Sequence, residues 1–540
     1  MHSRRLTPFL MATAGLALLM PAGAQRKGVG EDVITAANLR AYLEFVASDE
    51  MEGRDTPSRG LNATAKFIAT HLTRWGFKPG GDNNTFFQKI ELVRSSTSPK
   101  STFTLGDKSF VYGTDFVGPA TAGSASAGLV YGGYGWLIKS KGMDPYKDVD
   151  PKGKIVILNS MNVFTLEGVS PSDLKGERGR DYADPVAYAR QRGAAAIIYL
   201  TPSGSLPTGN QRAFMERRGL RVKRFSEEGE VGGLPTITVA ASVGEALLAG
   251  EKLDYKSVTK LMTDRKPAEG FALSPEKRAA INMVVDVETQ MTQNVVGIWE
   301  GSDKLLKDEY VAAGAHYDHV GVRQTATPPP PGTDVIFNGA DDDGSGTVAI
   351  LSMADALAHS KKRPKRSVIF VWHCGEEKGL WGSEYFTRWP TIPLKSIVTQ
   401  LNIDMIGRSR AKDDTNPRNR ELSVQNEVYV IGSKMMSTQL GELSERVNKA
   451  YLNLTLNYKY DDPKDPNRFF YRSDHYNYAR NGVPIIFYFD GTHEDYHGLG
   501  DHADKIDYVK MENVTRTVYQ TLWEIAELKD RPKVDKPTPK

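Results

Sequence analysis

The run Asp308-Glu-Tyr-Val-Ala-Ala-Gly-Ala-His-Tyr-Asp-His-Val320, followed at 339–346 by Gly-Ala-Asp-Asp-Asp-Gly-Ser-Gly, decides how this 540-residue chain is read. An apolar strand at 310–315 ends in two histidines and an aspartate, and an acidic triplet opens a helix about twenty residues later. Imidazole and carboxylate are the nitrogen and oxygen donors that zinc accepts, and ligands arriving from separate loops leave coordination positions open for water or substrate. Packed this closely, such groups repel or need desolvation unless they are paired or hold a cation.

Outward from this run, the pattern after 281 alternates apolar strands with helices. Strands are expected at 283–288, 293–299, 310–315, 368–373, 397–403, 427–431 and 484–489, with helices at 347–359, 437–451 and 510–528. That alternation predicts an α/β fold, a mixed sheet with helices on both faces. Sites in such sheets form at the carboxyl ends of strands. Four strand ends here deliver chemistry: His316 and Asp318, then Glu376 and Glu377, then Asp404, then the loop with His493, Tyr496 and His497. The aspartates at 341–343 fall where a helix dipole tolerates negative charge. So many donors suggest two metal ions, which need a bridging carboxylate, and the Glu376-Glu377 pair offers one residue for metal and one for a proton. Zinc fits the donor mixture; manganese and cobalt suit it too.

Before this part lie two helices, at 35–47 and 62–75, the second amphipathic through Ala65, Ile68, Leu72 and Trp75. Between them and the ligand-rich part, 109–263 has a different texture of short glycine-separated strands, with Lys154-Ile-Val-Ile-Leu158 and a strand at 194–200, and no cluster of ligand-type residues. It reads as an inserted domain. The flanking segments 30–108 and 264–528 then form one discontinuous domain, and the Lys- and Pro-rich 529–540 reads as a disordered tail.

Arg4 and Arg5, an apolar stretch at 8–20 and Ala22-Gly-Ala24 have the three parts of a secretory signal peptide, with cleavage expected near Ala24. The expected product is exported, periplasmic or extracellular, with no membrane span. A net charge of +3 with dispersed Lys and Arg argues against a nucleic-acid partner. The single cysteine, Cys374, precludes an intrachain disulfide, and its apolar and acidic neighbours make it a structural thiol rather than a nucleophile.

His316-Tyr-Asp318, Gly339-Ala-Asp-Asp-Asp-Gly-Ser-Gly346, Cys374-Gly-Glu-Glu-Lys-Gly-Leu380, Leu401-Asn-Ile-Asp-Met-Ile-Gly407, Arg472-Ser-Asp-His475 and Tyr496-His497 resemble, in order, the motifs of the di-zinc exopeptidases (clan MH) that include bacterial leucyl aminopeptidases and glutamate carboxypeptidase. The insert, with Pro151-Lys-Gly-Lys-Ile-Val-Ile157 and Arg192-Gly-Ala-Ala-Ala-Ile-Ile198, resembles a β-rich α/β protease-associated (PA) domain. The resemblance implies the zinc exopeptidase fold and two Zn2+ ions: His316 and Asp404 on one, Glu377 and His497 on the other, with Asp342 bridging and Asp341 or Asp343 as alternatives for the bridge. It further implies Glu376 as general base, Asp318 as hydrogen-bond partner of the far nitrogen of His316, and Tyr496 as donor to an oxyanion. Arg472 or Asp474 would shape the substrate pocket. His319, His493 and His502 are left as bystanders. The implied activity is a metallo-aminopeptidase acting on peptides. Alternatives are a carboxypeptidase on the same scaffold, a metal-free receptor-like relative, and a single-zinc glutaminyl cyclase. Oligomeric state and residue preference stay open.

Overall fold

The computed structural model describes residues 28–160, 162–227, 233–325 and 327–539. The expected signal peptide lies outside them. The described residues divide into two compact units, one formed by those up to Ile90 together with those from Met291 onward, the other by those within Glu91–Gln290.

The larger unit is built on a mixed sheet whose order is β1 (Val285–Trp299), β3 (Ser367–His373), β2 (Tyr310–His316), β4 (Ile397–Ile403), β7 (Ile485–Phe489), β5 (Glu427–Ile431) and β6 (Thr455–Asn457). β3, β2, β4 and β7 run parallel, while β1 on β3 and β5 on β7 are antiparallel. Central strands are buried along their whole length, which is why they read as unbroken apolar runs rather than alternating ones. Helices cover the sheet in two groups. α1 (Ala36–Val46), α3 (Gly346–His359) and α7 (Tyr508–Glu527) pack on one another, α3 and α7 also on β2, and α5 (Thr438–Ala450) joins α7. α4 (Trp381–Arg388) and α6 (His475–Ala479) pack together and against β3, β4 and β7. α2 (Arg59–Arg74) starts three residues before the expected 62 because the Ser58 hydroxyl accepts the Leu61 N–H and caps it there.

In the second unit, strands Gly123–Tyr131, Ile155–Asn159, Ala196–Leu200 and Thr236–Val239 run parallel, with antiparallel strands at both sides. This unit is wider than the 109–263 read from sequence. Arg278–Met283 lies between Thr102–Leu105 and Gly123–Tyr131, so a central strand comes from beyond the apparent exit of the insert. Ile155, Ile157, Ile198 and Ile237 lie in its core.

The segment after 528 is irregular along its described residues. Arg531 donates to Glu309 and to the Lys395 carbonyl, and the Asp535 carboxylate accepts the Thr438 N–H. Among the described residues no helix is long and apolar enough to cross a membrane.

Arg54 links the N-terminal segment to the loops of the sheet. Its fully buried guanidinium donates to the carbonyls of Val46 (2.7 Å), Tyr317 (3.1 Å), Asn338 (2.6 Å) and Gly339 (2.8 Å). Arg54→Met would leave these carbonyls unpaired, each costing about 1–3 kcal/mol. Urea unfolding should show a loss of about 3–5 kcal/mol or more, with Arg54→Lys recovering only part because it lacks the planar fork.

Candidate metal centre

The carboxyl ends of β2, β3, β4 and β7 face one edge of the sheet, and the expected groups meet there. His316 ends β2. Its main-chain N–H donates to Asp343 (3.1 Å) and its carbonyl accepts the Thr347 hydroxyl (2.6 Å), fixing the ring's origin. Nε2 faces Asp342 Oδ1 at 3.3 Å, Asp404 Oδ1 at 3.6 Å and Glu376 Oε2 at 3.9 Å. Nδ1 lies 3.1 Å from the main-chain carbonyl oxygen of Asp318, while the Asp318 carboxylate is 3.7 Å away. The partner expected from the Asp318 side chain is thus supplied by its backbone. The carboxylate instead accepts the Glu376 N–H at 3.2 Å, and burial pushes its pKa up to about 7.

The three aspartates diverge. Asp343 accepts N–H groups from His316, Gly346 (2.9 Å) and Met405 (3.2 Å). Asp341 accepts the Gly407 N–H at 2.6 Å and faces His493 Nε2 at 3.3 Å. Asp342 turns one oxygen to His316 and the other to His497 Nε2 at 3.1 Å, and that second oxygen has no hydrogen-bond partner. The turn is held by Asp501, whose carboxylate accepts the N–H groups of Asp341 (3.0 Å) and Asp342 (3.1 Å). Gly339 precedes it at φ +56, a left-handed backbone, where a Cβ would run into the Asp342 carbonyl and the His319 ring.

Glu377 places one oxygen 3.0 Å from His497 Nε2 and the other 2.8 Å from His319 Nδ1. His319 and His493, set aside in the sequence, are therefore part of the assembly: His319 faces the Glu377 carboxylate, and His493 is buried against Asp341. A buried histidine among carboxylates was the available signal, but burial is not visible in a loop sequence. His502 pairs instead with Asp334 at 3.4 Å. Cys374 is buried, and desolvation drives its thiol pKa up, as its structural role requires.

Among the described residues, two groups have donor atoms within 4.8 Å of one another, His316/Asp342/Asp404 and His319/Asp342/Glu377. Atoms about 2.0–2.2 Å from a shared zinc lie roughly 3–3.5 Å apart, and the separations here fall near that range. The buried oxygens Asp342 Oδ2 and Glu377 Oε1 have no hydrogen-bond donor, so a cation is what would offset their desolvation. Donor set and spacing fit zinc. Burial opposes charge on His497, yet Asp342 and Glu377 outweigh it and push the imidazole up to about 10. Burial likewise raises Glu376 and Asp404, although His316 opposes both.

A cavity opens beside these groups, walled by Phe469, Phe487, Phe489 and Met405, with Arg472 and Tyr496 among its lining. Tyr496 stacks on His497 with ring centroids 4.1 Å apart, and its hydroxyl accepts a long 3.4 Å bond from Arg472. Asp474 does not line it; it is buried against His373 Nδ1 at 3.3 Å. Behind the wall, His475 stacks on Phe487 at 4.4 Å and donates Nε2–H to the Phe470 carbonyl. Desolvation pulls its pKa down to about 3. The unfolded chain takes this proton near pH 6.5 and the folded one only near 3, so stability from this group is complete above 6.5 and lost as pH falls towards 3. Thermal unfolding with chelator throughout should show that loss, and His475→Asn should flatten it between pH 6.5 and 3.

A profile described as Peptidase family M28 matches residues 294–522. The chain is 31% identical over 147 residues (27% of this chain, 32% of the relative) to a probable zinc metalloprotease of Pyrenophora tritici-repentis. It is 25% identical over 301 residues (51% and 53%) to leucine aminopeptidase 2 of Arthroderma otae. The chain spans less than two thirds of the length of these curated relatives. Among solved structures, the aminopeptidase from Aneurinibacillus sp. strain AM-1 aligns over 95% of this chain and 97% of its own, at 16% identity and a TM-score of 0.46. Residues 294–522, which carry His316, the aspartate turn, both glutamates, Asp404 and His497, are thus similar to peptidase family M28.

Proposed function

We propose that the protein is an exported zinc-dependent aminopeptidase that removes apolar N-terminal residues from peptides. The observation that carries this reading is the contrast between adjacent carboxylates: Glu377 faces imidazoles, while Glu376 lies at the cavity beside His316. In this reading His316 and Asp404 would hold one zinc, Glu377 and His497 a second, and Asp342 would be shared between them. Bound there, zinc supplies Lewis acidity towards a carbonyl oxygen and a water ionisable near neutral pH.

The protein groups do the rest. Glu376 takes a proton from the attacking water, whose oxygen bonds to the peptide carbonyl carbon; as the C–N bond breaks, Glu376 hands that proton to the leaving amine. Asp318 holds Glu376 in place through its main-chain N–H. Tyr496, its phenol pushed above the usual range by burial, stays protonated and donates to the developing oxyanion. Phe469, Phe487, Phe489 and Met405 receive the side chain of the residue released. The second unit is assigned as the protease-associated insert.

Arg472 supports a second reading. It is the one Lys or Arg among the cavity's lining residues, and a carboxypeptidase would need such a cation for the substrate's terminal carboxylate. Aminoacyl and C-terminally free chromogenic substrates, with chelator controls, separate the two. Hydrolysis of leucyl but not of amino-blocked substrates is expected; the reverse would replace the aminopeptidase reading.

Glu376→Gln should lose roughly 10²–10⁴-fold in kcat while retaining about two zinc ions per chain, measured by metal analysis of the purified variant. Phe487→Ala should lower kcat/KM for leucyl substrates about 10-fold more than for alanyl ones.

A further inference from the structure

His319 is completely buried, yet neither ring nitrogen has a hydrogen-bond partner. A neutral imidazole always carries one N–H and one lone pair, so burying both without partners is costly. The ring is nevertheless held in place. Its main-chain N–H donates to the Arg54 carbonyl at 3.2 Å, and Gly339 leaves the room that the ring occupies.

Nδ1 lies 2.8 Å from Glu377 Oε1 and 3.8 Å from Asp342 Oδ2, both oxygens themselves without hydrogen-bond donors. At 2.8 Å a directed hydrogen bond would be expected, but the geometry is off the ring's N–H axis. Two ligands of one cation meet each other in this way, because their lone-pair axes converge on the cation rather than on each other.

Resting on the metallopeptidase reading above, we infer that His319 is a third imidazole ligand of the centre, holding the Glu377-side metal together with Glu377, His497 and Asp342. Four protein ligands would close that position, whereas His316, Asp404 and the shared Asp342 leave the other with a place for water. The two positions would then differ in kind: the Glu377 side retains its metal tightly, and the His316 side is open to the reactants.

The test is zinc titration of the chelator-stripped full chain by calorimetry and by competition with a chromophoric chelator. The parent should take up two equivalents, one distinctly tighter. His319→Ala should weaken the tight equivalent at least about 10-fold and leave the other within a factor of three. His319→Asn should not restore it, since its amide reproduces an N–H donor at the Nδ1 position but not an imidazole ligand. Circular dichroism of the metal-free variants should match the parent. Unchanged affinity in His319→Ala, or full restoration by His319→Asn, would overturn the inference and leave the peptidase reading standing. Failure of the parent to bind zinc would overturn both.

Discussion

A concentration of buried negative charge governs the larger unit. Asp341, Asp342, Asp343, Glu376, Glu377 and Asp404 converge on one edge of a mixed sheet, the aspartates buried and the glutamates partly so. Such a cluster persists only if each carboxylate is offset, and the structure offsets them in different ways. Asp343 accepts three main-chain N–H groups, Asp341 accepts the Gly407 N–H on one oxygen while the other, without a hydrogen bond, faces His493, and Asp404 accepts the Ser473 hydroxyl at 2.6 Å. Asp342 and Glu377 receive no main-chain donor at their buried free oxygens and face imidazoles instead. The unpartnered oxygens of Asp342 and Glu377 lie where the donor spacing suits zinc.

The parallel strands of the sheet make this concentration geometrically possible. β2, β3, β4 and β7 each end on the same edge, so four loops distant in sequence come within a few ångströms. Arg54 contributes from nearly 300 residues away, its guanidinium binding the carbonyls just before the aspartate turn. Its charge sits near Asp318, Asp501, Asp342 and Asp343, which oppose the desolvation that lowers its pKa. Packing and electrostatics thus act through the same side chain.

How much of this was legible in the sequence depended on whether orientation followed from periodicity. The buried strands were readable from their apolar runs, and so were His316, Glu376, Glu377 and Asp404 at their ends. The aspartate triplet was not decidable, because consecutive residues in an aperiodic turn point in directions set by the N–H groups within reach. Gly407, Met405 and Asp501, which set those directions here, come from other loops. His319 and His493 were missed for the same reason: each looks like a loop histidine until a distant segment covers it. The boundary of the second unit failed differently. Arg278–Met283 is a central strand of that unit, yet it lies beyond 263, where the insert read from the sequence ends.

The divergence of Glu376 from Glu377 follows from the same constraint. Glu376 and Glu377, although adjacent, face different groups. Asp318 fixes which faces which: by accepting the Glu376 N–H it orients the peptide so that Glu376 lies towards His316 and the cavity, while Glu377 reaches His319 and His497. On the proposed mechanism this separates holding a cation from moving a proton, although the two side chains are chemically identical. On that mechanism a carboxylate that never touches the reactants, Asp318, sets the division of labour between the two glutamates.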